Sequence, residues 1–230
     1  MPSTVPRLHE SALRLYLVFG PQDLAADQSA LDLLEEAVAG GVTCIQWRDK
    51  SEIAQAPLPR RQEAVEPLYQ RAKALKVPFL VNDDVELAQA LRADGVHLGQ
   101  DDMDPSLARQ LLGADAIIGW SVGTAVERAR LDDLLIEGPH VIDYIGVGPA
   151  FPTGTKSDAG DALGATGIAA IIDGISLPAV AIGGINEKNC ALLETENLAG
   201  IAVVSAITRQ SDPKAAAQQL LNAINRTISI

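Results

Sequence analysis

The stretch DYIGVGPAFPTGTK, residues 143–156, combines a predicted strand with a candidate anion-binding loop. Its first half continues an apolar run, residues 141–147, that stops at Gly148 and Pro149, as a buried strand stops at a turn. Its second half ends in Thr153, Gly154, Thr155 and Lys156. Hydroxyl and backbone donors beside an ammonium group are what a phosphate requires. Loops of this composition also occur on protein surfaces that bind no ligand. The prediction therefore depends on whether other predicted strands in the sequence also end in polar residues.

The pattern recurs along the whole chain. Short, nearly all apolar runs predict strands at residues 13–19, 42–47, 78–81, 95–98, 116–120, 141–147, 178–182 and 201–204. Segments with helical spacing of apolar residues alternate with them, at residues 27–39, 62–75, 85–91, 105–112, 124–135, 167–172, 186–193 and 212–224. Residues 51–61 contain Pro57 and Pro59 and are predicted to form a loop.

Helix ends in this alternation have recognisable capping residues. Asp104 and Asn186 are predicted N-caps, and Thr124 with Glu127 three positions later has the form of a capping box. Pro213 suits the first position of the last helix because its missing N–H would be unpaired there in any case.

Eight alternating strand–helix units predict an α/β protein with a (β/α)8 TIM barrel. Strands that are apolar on both faces fit a barrel covered by helices. A doubly wound open sheet is the alternative, but its Gly-rich turn does not follow the first strand, where the sequence is Gly-Pro-Gln-Asp. We therefore expect one catalytic domain over residues 13–230, preceded by a polar lead-in at residues 1–12.

Composition limits the classes of partner. The chain has 230 residues, 47% of them hydrophobic, and a formal net charge of −12, which argues against non-specific binding to nucleic acid or anionic membranes. Cys44 and Cys190 lie too far apart in sequence to indicate a zinc motif. No signal-peptide core or membrane span is evident, so we expect a cytoplasmic protein. The sequence leaves the formation of a homo-oligomer open.

Polar residues follow the predicted strands, at the end where barrel enzymes build their sites. Gln46, Arg48 and Lys50 alternate along an extended segment and share one side of it. An amide, a guanidinium and an ammonium in one mouth indicate a multiply charged anion such as a diphosphate. The alternative is an ordinary surface charge cluster at the end of a strand.

Asp83 and Asp102 end neighbouring predicted strands, so their carboxylates can converge. Mg²⁺ prefers one or two carboxylates together with phosphate oxygens and water. Helix capping at residues 83–84 and a solvated loop at residues 101–102 are the alternatives. His97 falls inside a strand, where we expect packing rather than catalysis, and no Ser-His-Asp or Cys-His arrangement is evident.

Glycines and small residues end the last two predicted strands. Gly183 and Gly184 follow the seventh, and Val204 and Ser205 end the eighth. Barrels often bind phosphate there through backbone N–H groups, although two tight turns would have the same sequence.

Together these motifs resemble thiamine phosphate synthase, over roughly residue 15 to the C-terminus. They are QWRDK (46–50), VNDDVELA (81–88), ADGVHLGQDD (93–102), GWS (119–121), YIGVGPAFPTGTK (144–156), AIGGI (181–185) and VVSAI (203–207). The resemblance implies that hydroxymethylpyrimidine diphosphate is joined to thiazole phosphate, which yields thiamine phosphate and pyrophosphate. The expected cofactor is Mg²⁺ and the expected partners are small phosphorylated molecules.

The resemblance also implies residue roles. The pyrimidine diphosphate would contact Gln46, Trp47, Arg48, Asp49, Lys50, Asn82, Ser121 and Lys156, of which Arg48, Lys50, Ser121 and Lys156 would be catalytic. The thiazole phosphate would contact Thr153, Gly154, Thr155, Gly184, Val204 and Ser205. Asp83 and Asp102 would bind the metal.

Two positions depart from the family pattern. Gly20 stands where many relatives have an acidic residue, and Gly123 stands where many have a histidine. Rival functions are a thiazole tautomerase, which needs no diphosphate clamp, a phosphate-ester sensor without catalysis, and a sugar-phosphate isomerase or aldolase. A Schiff-base aldolase would need a lysine in an apolar pocket, whereas Lys50 and Lys156 have polar neighbours.

Overall fold

The computed structural model describes residues 8–138, 140–154, 161–193 and 198–227. Eight parallel strands form a closed barrel in sequence order, which confirms the predicted fold. The strands are β1 Leu15–Phe19, β2 Cys44–Trp47, β3 Phe79–Asn82, β4 Gly95–Leu98, β5 Ile117–Ser121, β6 Tyr144–Val147, β7 Ala179–Ile182 and β8 Leu198–Val203. The pairing of β8 with β1 closes the barrel.

Helices surround the barrel. The α-helices are α1 Ala30–Ala39, α2 Leu58–Ala74, α3 Val85–Leu91, α4 Pro105–Leu112, α5 Ala125–Glu137, α6 Gly164–Ile172, α7 Ser205–Thr208 and α8 Pro213–Thr227. Short 3-10 helices lie at Glu10–Leu13, Pro21–Asp23, Glu52–Gln55 and Cys190–Leu193. None of the helices that the structure describes has both the length and the apolar content to cross a membrane.

Two layers of buried side chains result from the period of two along the strands. Outward residues such as Leu17 and Ile45 form the large core between the barrel and its helices. Inward residues such as Tyr16, Cys44 and Leu80 form a second cluster inside the barrel. Alternation therefore directs one set of side chains into the core outside the barrel. The other set faces the lumen, where polar groups can lie.

Local chemistry explains why several predicted elements agree with the structure. The bounds of α3, β4 and α4 are as predicted. The Asp104 carboxylate accepts hydrogen bonds from two backbone N–H groups at the start of α4. Thr124 and Glu127 form the predicted capping box of α5. These signals lie within one helical turn, so tertiary contacts do not override them.

Other predicted bounds were wrong. The loop prediction for residues 51–61 fails because α2 already begins at Leu58, with Pro59 in the first turn, where a missing N–H costs nothing. The predicted helix at residues 186–193 is only the 3-10 helix Cys190–Leu193, and α7 was not predicted.

The start of the barrel also differs from the prediction. β1 begins at Leu15, because residue 13 belongs to the 3-10 helix Glu10–Leu13. Leu8 and Leu13 pack with the inward-facing cluster of the barrel. The predicted boundary at residue 12 therefore falls inside a helix, and the segment before β1 supplies part of the core.

Candidate active site

The carboxyl ends of the strands surround two adjoining cavities that share Asn82. The larger has a volume of about 620 Å³. Of the predicted site residues, it is lined by Gln46, Arg48, Asn82, Ser121, Thr153, Gly184, Val204 and Ser205. The smaller has a volume of about 410 Å³ and is lined by Trp47, Asp49, Lys50, Asn82 and Asp83 of the predicted set.

Alternation along β2 separates the two cavities. Gln46 lines the larger one. Trp47 is buried on the other face of the strand, where its ring packs edge-on against Phe19 at 5.4 Å between centroids. The structure therefore places the indole beside the smaller cavity, away from Gln46, although both residues belong to the same motif.

Asp83 and Asp84 have different roles. Asp84 caps α3 by accepting a hydrogen bond from the Leu87 N–H at 2.9 Å, and it forms an ion pair with Arg61. Asp83 has a positive φ of 62°, a conformation that is uncommon for residues other than glycine. Its carboxylate contacts the Lys50 ammonium at 3.2 Å. Because Asp84 performs the capping, the Asp83 carboxylate remains available at the mouth.

Asp102 lies beside Asp83. Its Oδ2 accepts a hydrogen bond from the Gly99 N–H at 2.7 Å. Partial burial and then a hydrogen bond with the Asp83 carboxyl raise the pKa of Asp102, while the Lys50 charge lowers it. Two carboxyl groups and one ammonium group therefore meet at this point, and a cation would relieve the repulsion between the carboxylates. No three potential metal-binding His, Cys, Asp or Glu residues cluster within the described part of the chain.

A bracing contact holds the segment after β2. The Gln22 side chain donates a hydrogen bond to the Arg48 carbonyl at 2.7 Å and accepts one from the Lys50 N–H at 3.1 Å. Asp23 anchors the same amide at 2.7 Å. Gly20 lies under this contact, since a Cβ there would be 2.0 Å from the Arg48 carbonyl oxygen. The departure at Gly20 is thus linked to the packing of the two loops.

Glycine is required after β7. Gly183 and Gly184 have φ angles of 99° and 65°, and a Cβ on Gly184 would lie 2.6 Å from the Pro152 carbonyl oxygen. This close approach brings the turn against the loop that carries Thr153. Gly154 is exposed and lines neither cavity. Thr155 and Lys156 lie outside the described residues.

Tyr16, His97 and Tyr144 are among the residues that line the larger cavity but were not predicted as site residues. The His97 ring hydrogen-bonds the Tyr144 hydroxyl at 2.8 Å and the Ser121 hydroxyl at 2.9 Å. The expectation of a merely packed histidine was therefore incomplete. Period-two alternation is the signal that would have found these residues, since it places them on the inner face of their strands.

The second departure, Gly123, also lines the larger cavity. Its N–H and that of Thr124 donate hydrogen bonds to the Glu127 carboxylate. The capping box therefore extends to the position where the family resemblance leads us to expect a histidine, and the Glu127 carboxylate reaches this part of the wall.

The chain is similar to known proteins over nearly its full length. A model of the family described as thiamine monophosphate synthase matches residues 15–207. The thiamine-phosphate synthase of Azorhizobium caulinodans is 42% identical over 212 residues, which cover 92% of this chain and 95% of the relative. That of Haloquadratum walsbyi is 39% identical over 217 residues, or 94% and 92% of the two chains.

A solved structure agrees with the sequence relatives. The thiamine phosphate pyrophosphorylase from Pyrococcus furiosus superposes with a TM-score of 0.80 at 32% identity, and the match covers 96% of this chain and 99% of that one. Barrel geometry, cavity residues and full-length similarity thus agree, and the chain belongs to the thiamine monophosphate synthase family.

Proposed function

We propose that the chain transfers the pyrimidine methylene group of hydroxymethylpyrimidine diphosphate to the nitrogen of a thiazole phosphate, with Mg²⁺ assistance. The acceptor is 4-methyl-5-(2-phosphoethyl)thiazole or its carboxylated form, and the products are thiamine phosphate and pyrophosphate. Synthesis of thiamine phosphate follows from family membership. The observation that carries the residue roles is the convergence of Lys50, Asp83 and Asp102 at the smaller cavity, which Lys50 and Asp83 line.

The donor set at this point suits Mg²⁺. Two carboxylates are the number that this ion commonly takes from a protein when a phosphate group supplies further oxygens. The repulsion between Asp83 and Asp102, which contributes to the raised pKa of Asp102, indicates a site that gains from a bound cation. When bound, Mg²⁺ would stabilise the negative charge that develops on the departing diphosphate.

Basic residues at the same mouth act on that charge as well. Arg48 lines the larger cavity and Lys50 lines the smaller one, on either side of Asn82. The carbon–oxygen bond breaks with its electron pair leaving on diphosphate, so cationic groups stabilise the transition state more than the ground state. We assign the same role to Lys156 on the family motif alone.

The remaining residues hold the two reactants. Gln46, Asn82 and Ser121 would orient the pyrimidine, and Trp47 and Asp49, which line the smaller cavity, would contact the diphosphate. The thiazole nitrogen donates its lone pair to the methylene cation, which forms the new carbon–nitrogen bond. That nitrogen carries no proton, so no general base is needed in this step.

The thiazole phosphate would lie on the opposite wall. Thr153, the Gly183–Gly184 turn and the start of α7 at Val204 and Ser205 line that part of the larger cavity. Gly154 and Thr155 belong to the same loop by sequence. Backbone N–H groups in such turns bind phosphate oxygens without adding side-chain bulk.

A turnover assay tests the proposal. Purified chain is mixed with both substrates, in Mg²⁺ or in EDTA, and pyrophosphate release is followed. Release that requires both substrates and the metal supports the proposal. Release without the metal would remove Mg²⁺ from it, and tight binding of thiazole phosphate without any release would favour the tautomerase or the sensor.

A further inference from the structure

A chain of hydrogen bonds crosses the barrel lumen from β2 to β5. The Gln46 amide donates to the Tyr16 hydroxyl at 2.8 Å, and the Tyr16 and Tyr144 hydroxyls lie 2.9 Å apart. Tyr144 contacts His97 Nδ1 at 2.8 Å, and His97 Nε2 contacts the Ser121 hydroxyl at 2.9 Å. All five residues line the larger cavity. This hydrogen-bond chain therefore joins Gln46 to Ser121, the two residues at its ends that we assign to the pyrimidine.

Glycines on β5 and β6 make room for this hydrogen-bond chain. A Cβ on Gly119 would lie 2.2 Å from the Tyr144 ring, and a Cβ on Gly146 would lie 2.9 Å from the His97 ring. The two glycines thus let aromatic rings lie across the lumen where most barrels place aliphatic side chains.

Counting the available hydrogens shows which group donates and which accepts in each bond of the hydrogen-bond chain. Tyr16 accepts from Gln46, so its single hydrogen goes to Tyr144. The Tyr144 hydrogen then goes to Nδ1 of His97, which leaves the imidazole proton on Nε2. That proton is donated to Ser121, whose own hydrogen is directed elsewhere.

Two further observations bear on this direction. Burial raises the pKa of both Tyr16 and Tyr144, so each retains its hydroxyl hydrogen. The Cys44 thiol also interacts with the Tyr16 hydroxyl. Sulfur is a weak acceptor, so the Tyr144 oxygen is the stronger partner for the Tyr16 hydrogen.

We propose that this hydrogen-bond chain makes the site selective for a 4-aminopyrimidine over its 4-oxo analogue, with Tyr144 and His97 as positioning residues; the inference rests on the proposed function. With its N–H₂ group turned to Tyr16, Gln46 keeps a carbonyl oxygen to accept from an exocyclic amine. Ser121 keeps an O–H to donate to a ring nitrogen. In the oxo analogue both hydrogen-bonding senses are reversed, so an acceptor would face an acceptor and a donor would face a donor.

The first test measures the direction of the chain without substrate. Full-length protein labelled with ¹⁵N-histidine is examined by long-range ¹H–¹⁵N NMR, and His97 is assigned with the His97→Gln variant. We expect a neutral ring protonated at Nε2 in the wild type and in Tyr69→Phe, which loses a phenol that bonds the Arg92 carbonyl on the outside of the barrel. Tyr144→Phe should lose that single tautomer. A proton on Nδ1 in the wild type would overturn the inference.

The second test measures selectivity. Calorimetry with Mg²⁺ but without thiazole phosphate compares the affinities for the 4-amino and 4-oxo pyrimidine diphosphates. We expect a preference of at least about 100-fold in the wild type and Tyr69→Phe, falling below about 10-fold in Tyr144→Phe, because its broken chain lets Gln46 rotate. Tyr16→Phe should behave in the same way and serves if Tyr144→Phe does not fold.

The outcomes separate the two proposals. An unchanged preference in Tyr144→Phe, with normal wild-type turnover, would overturn this inference alone. A wild type that bound neither pyrimidine would overturn the proposed function and this inference with it.

Discussion

Adjacent residues at this mouth differ in what they can do because the backbone turns between them. The Asp84 carboxylate caps α3 and forms an ion pair with Arg61. Asp83, one residue earlier, adopts a positive φ and faces Lys50 and Asp102 instead. Such a conformation costs on the order of 1 kcal/mol or more for a residue other than glycine, and it persists only where its surroundings hold it. We infer that this cost is retained because it aims a carboxylate at the metal position that we propose.

Asp102→Ala tests that position. We expect kcat/KM in Mg²⁺ to fall at least about 100-fold, since one of the two proposed carboxylate ligands would be lost, with little change in melting temperature. The matched control is Asp101→Ala, which removes a neighbouring carboxylate and should keep activity within about twofold. Steady-state kinetics over a Mg²⁺ titration measure both variants. Undiminished activity in Asp102→Ala would remove this residue from the metal site.

Cys44 and Cys190 are buried residues to which we assign no role in the site. Both are free and buried, and burial raises the pKa of each thiol. A raised pKa leaves less thiolate at any given pH, so reactivity falls. We expect a thiol reagent at pH 8 to label neither cysteine in the folded protein and both after unfolding. Rapid labelling of the native protein would show that one of them is accessible.

At the scale of elements, one loop supports another. The turn after β1 carries Gln22, which bonds both the Arg48 carbonyl and the Lys50 N–H after β2. Neither bond involves a substrate, yet both determine where two cationic side chains start. A residue outside the charged motif therefore contributes to the position of Arg48 and Lys50.

Gln22→Ala should weaken, but not abolish, binding of the diphosphate at Arg48 and Lys50. Loss of two hydrogen bonds, each of about 0.5–1.5 kcal/mol, should raise KM for the pyrimidine diphosphate about 3- to 10-fold. KM for thiazole phosphate should stay unchanged, because its proposed site lies on the opposite wall. Gln70→Ala on the outer surface of α2, where the amide bonds Glu66, is the control. Equal increases in both KM values would indicate a general disturbance instead.

At the scale of the whole molecule, the two ends of the barrel have different roles. The carboxyl ends of the strands carry the polar mouth. At the other end, Arg109 of α4 bonds the carbonyls of Val141 and Gly113 and pairs with Asp143 at 2.6 Å. Asp143 in turn accepts from the Ile118 N–H of β5 at 2.8 Å. These contacts join α4 to β5 and to the segment before β6, and none of these residues lines either cavity.

Arg109→Ala should therefore affect stability and spare catalysis. The two side chains are only 13% and 11% exposed, so removal of the guanidinium takes a charge-assisted hydrogen bond from a largely buried carboxylate. We expect a loss of about 3 kcal/mol in unfolding free energy, with kcat unchanged at 25 °C. Arg71→Ala breaks an exposed pair with Glu35 and should cost less than about 1 kcal/mol. Denaturant unfolding and turnover, measured side by side, test the separation.

The extent of correct prediction follows from the range of the interactions involved. Asp104 and Thr124 cap helices by contacts a few residues away, so sequence was sufficient there. Pro59 was misjudged because a proline in a first helical turn resembles a proline in a loop. Asp83 and Asp84 could not be distinguished from sequence, because which of them caps α3 depends on the path of the backbone between them.

The sequence by itself determined the barrel, the end of it that carries the site and most of the polar residues at that end. It could do so because period-two and helical patterns, glycine turns and charge are properties of neighbouring residues. Only the tertiary structure decided that Tyr16, Tyr144, His97 and Ser121 form one hydrogen-bonded chain, and that Gln22 braces the segment after β2. Those contacts join strands or loops far apart in the chain, and closure of the barrel is what brings them within hydrogen-bonding distance.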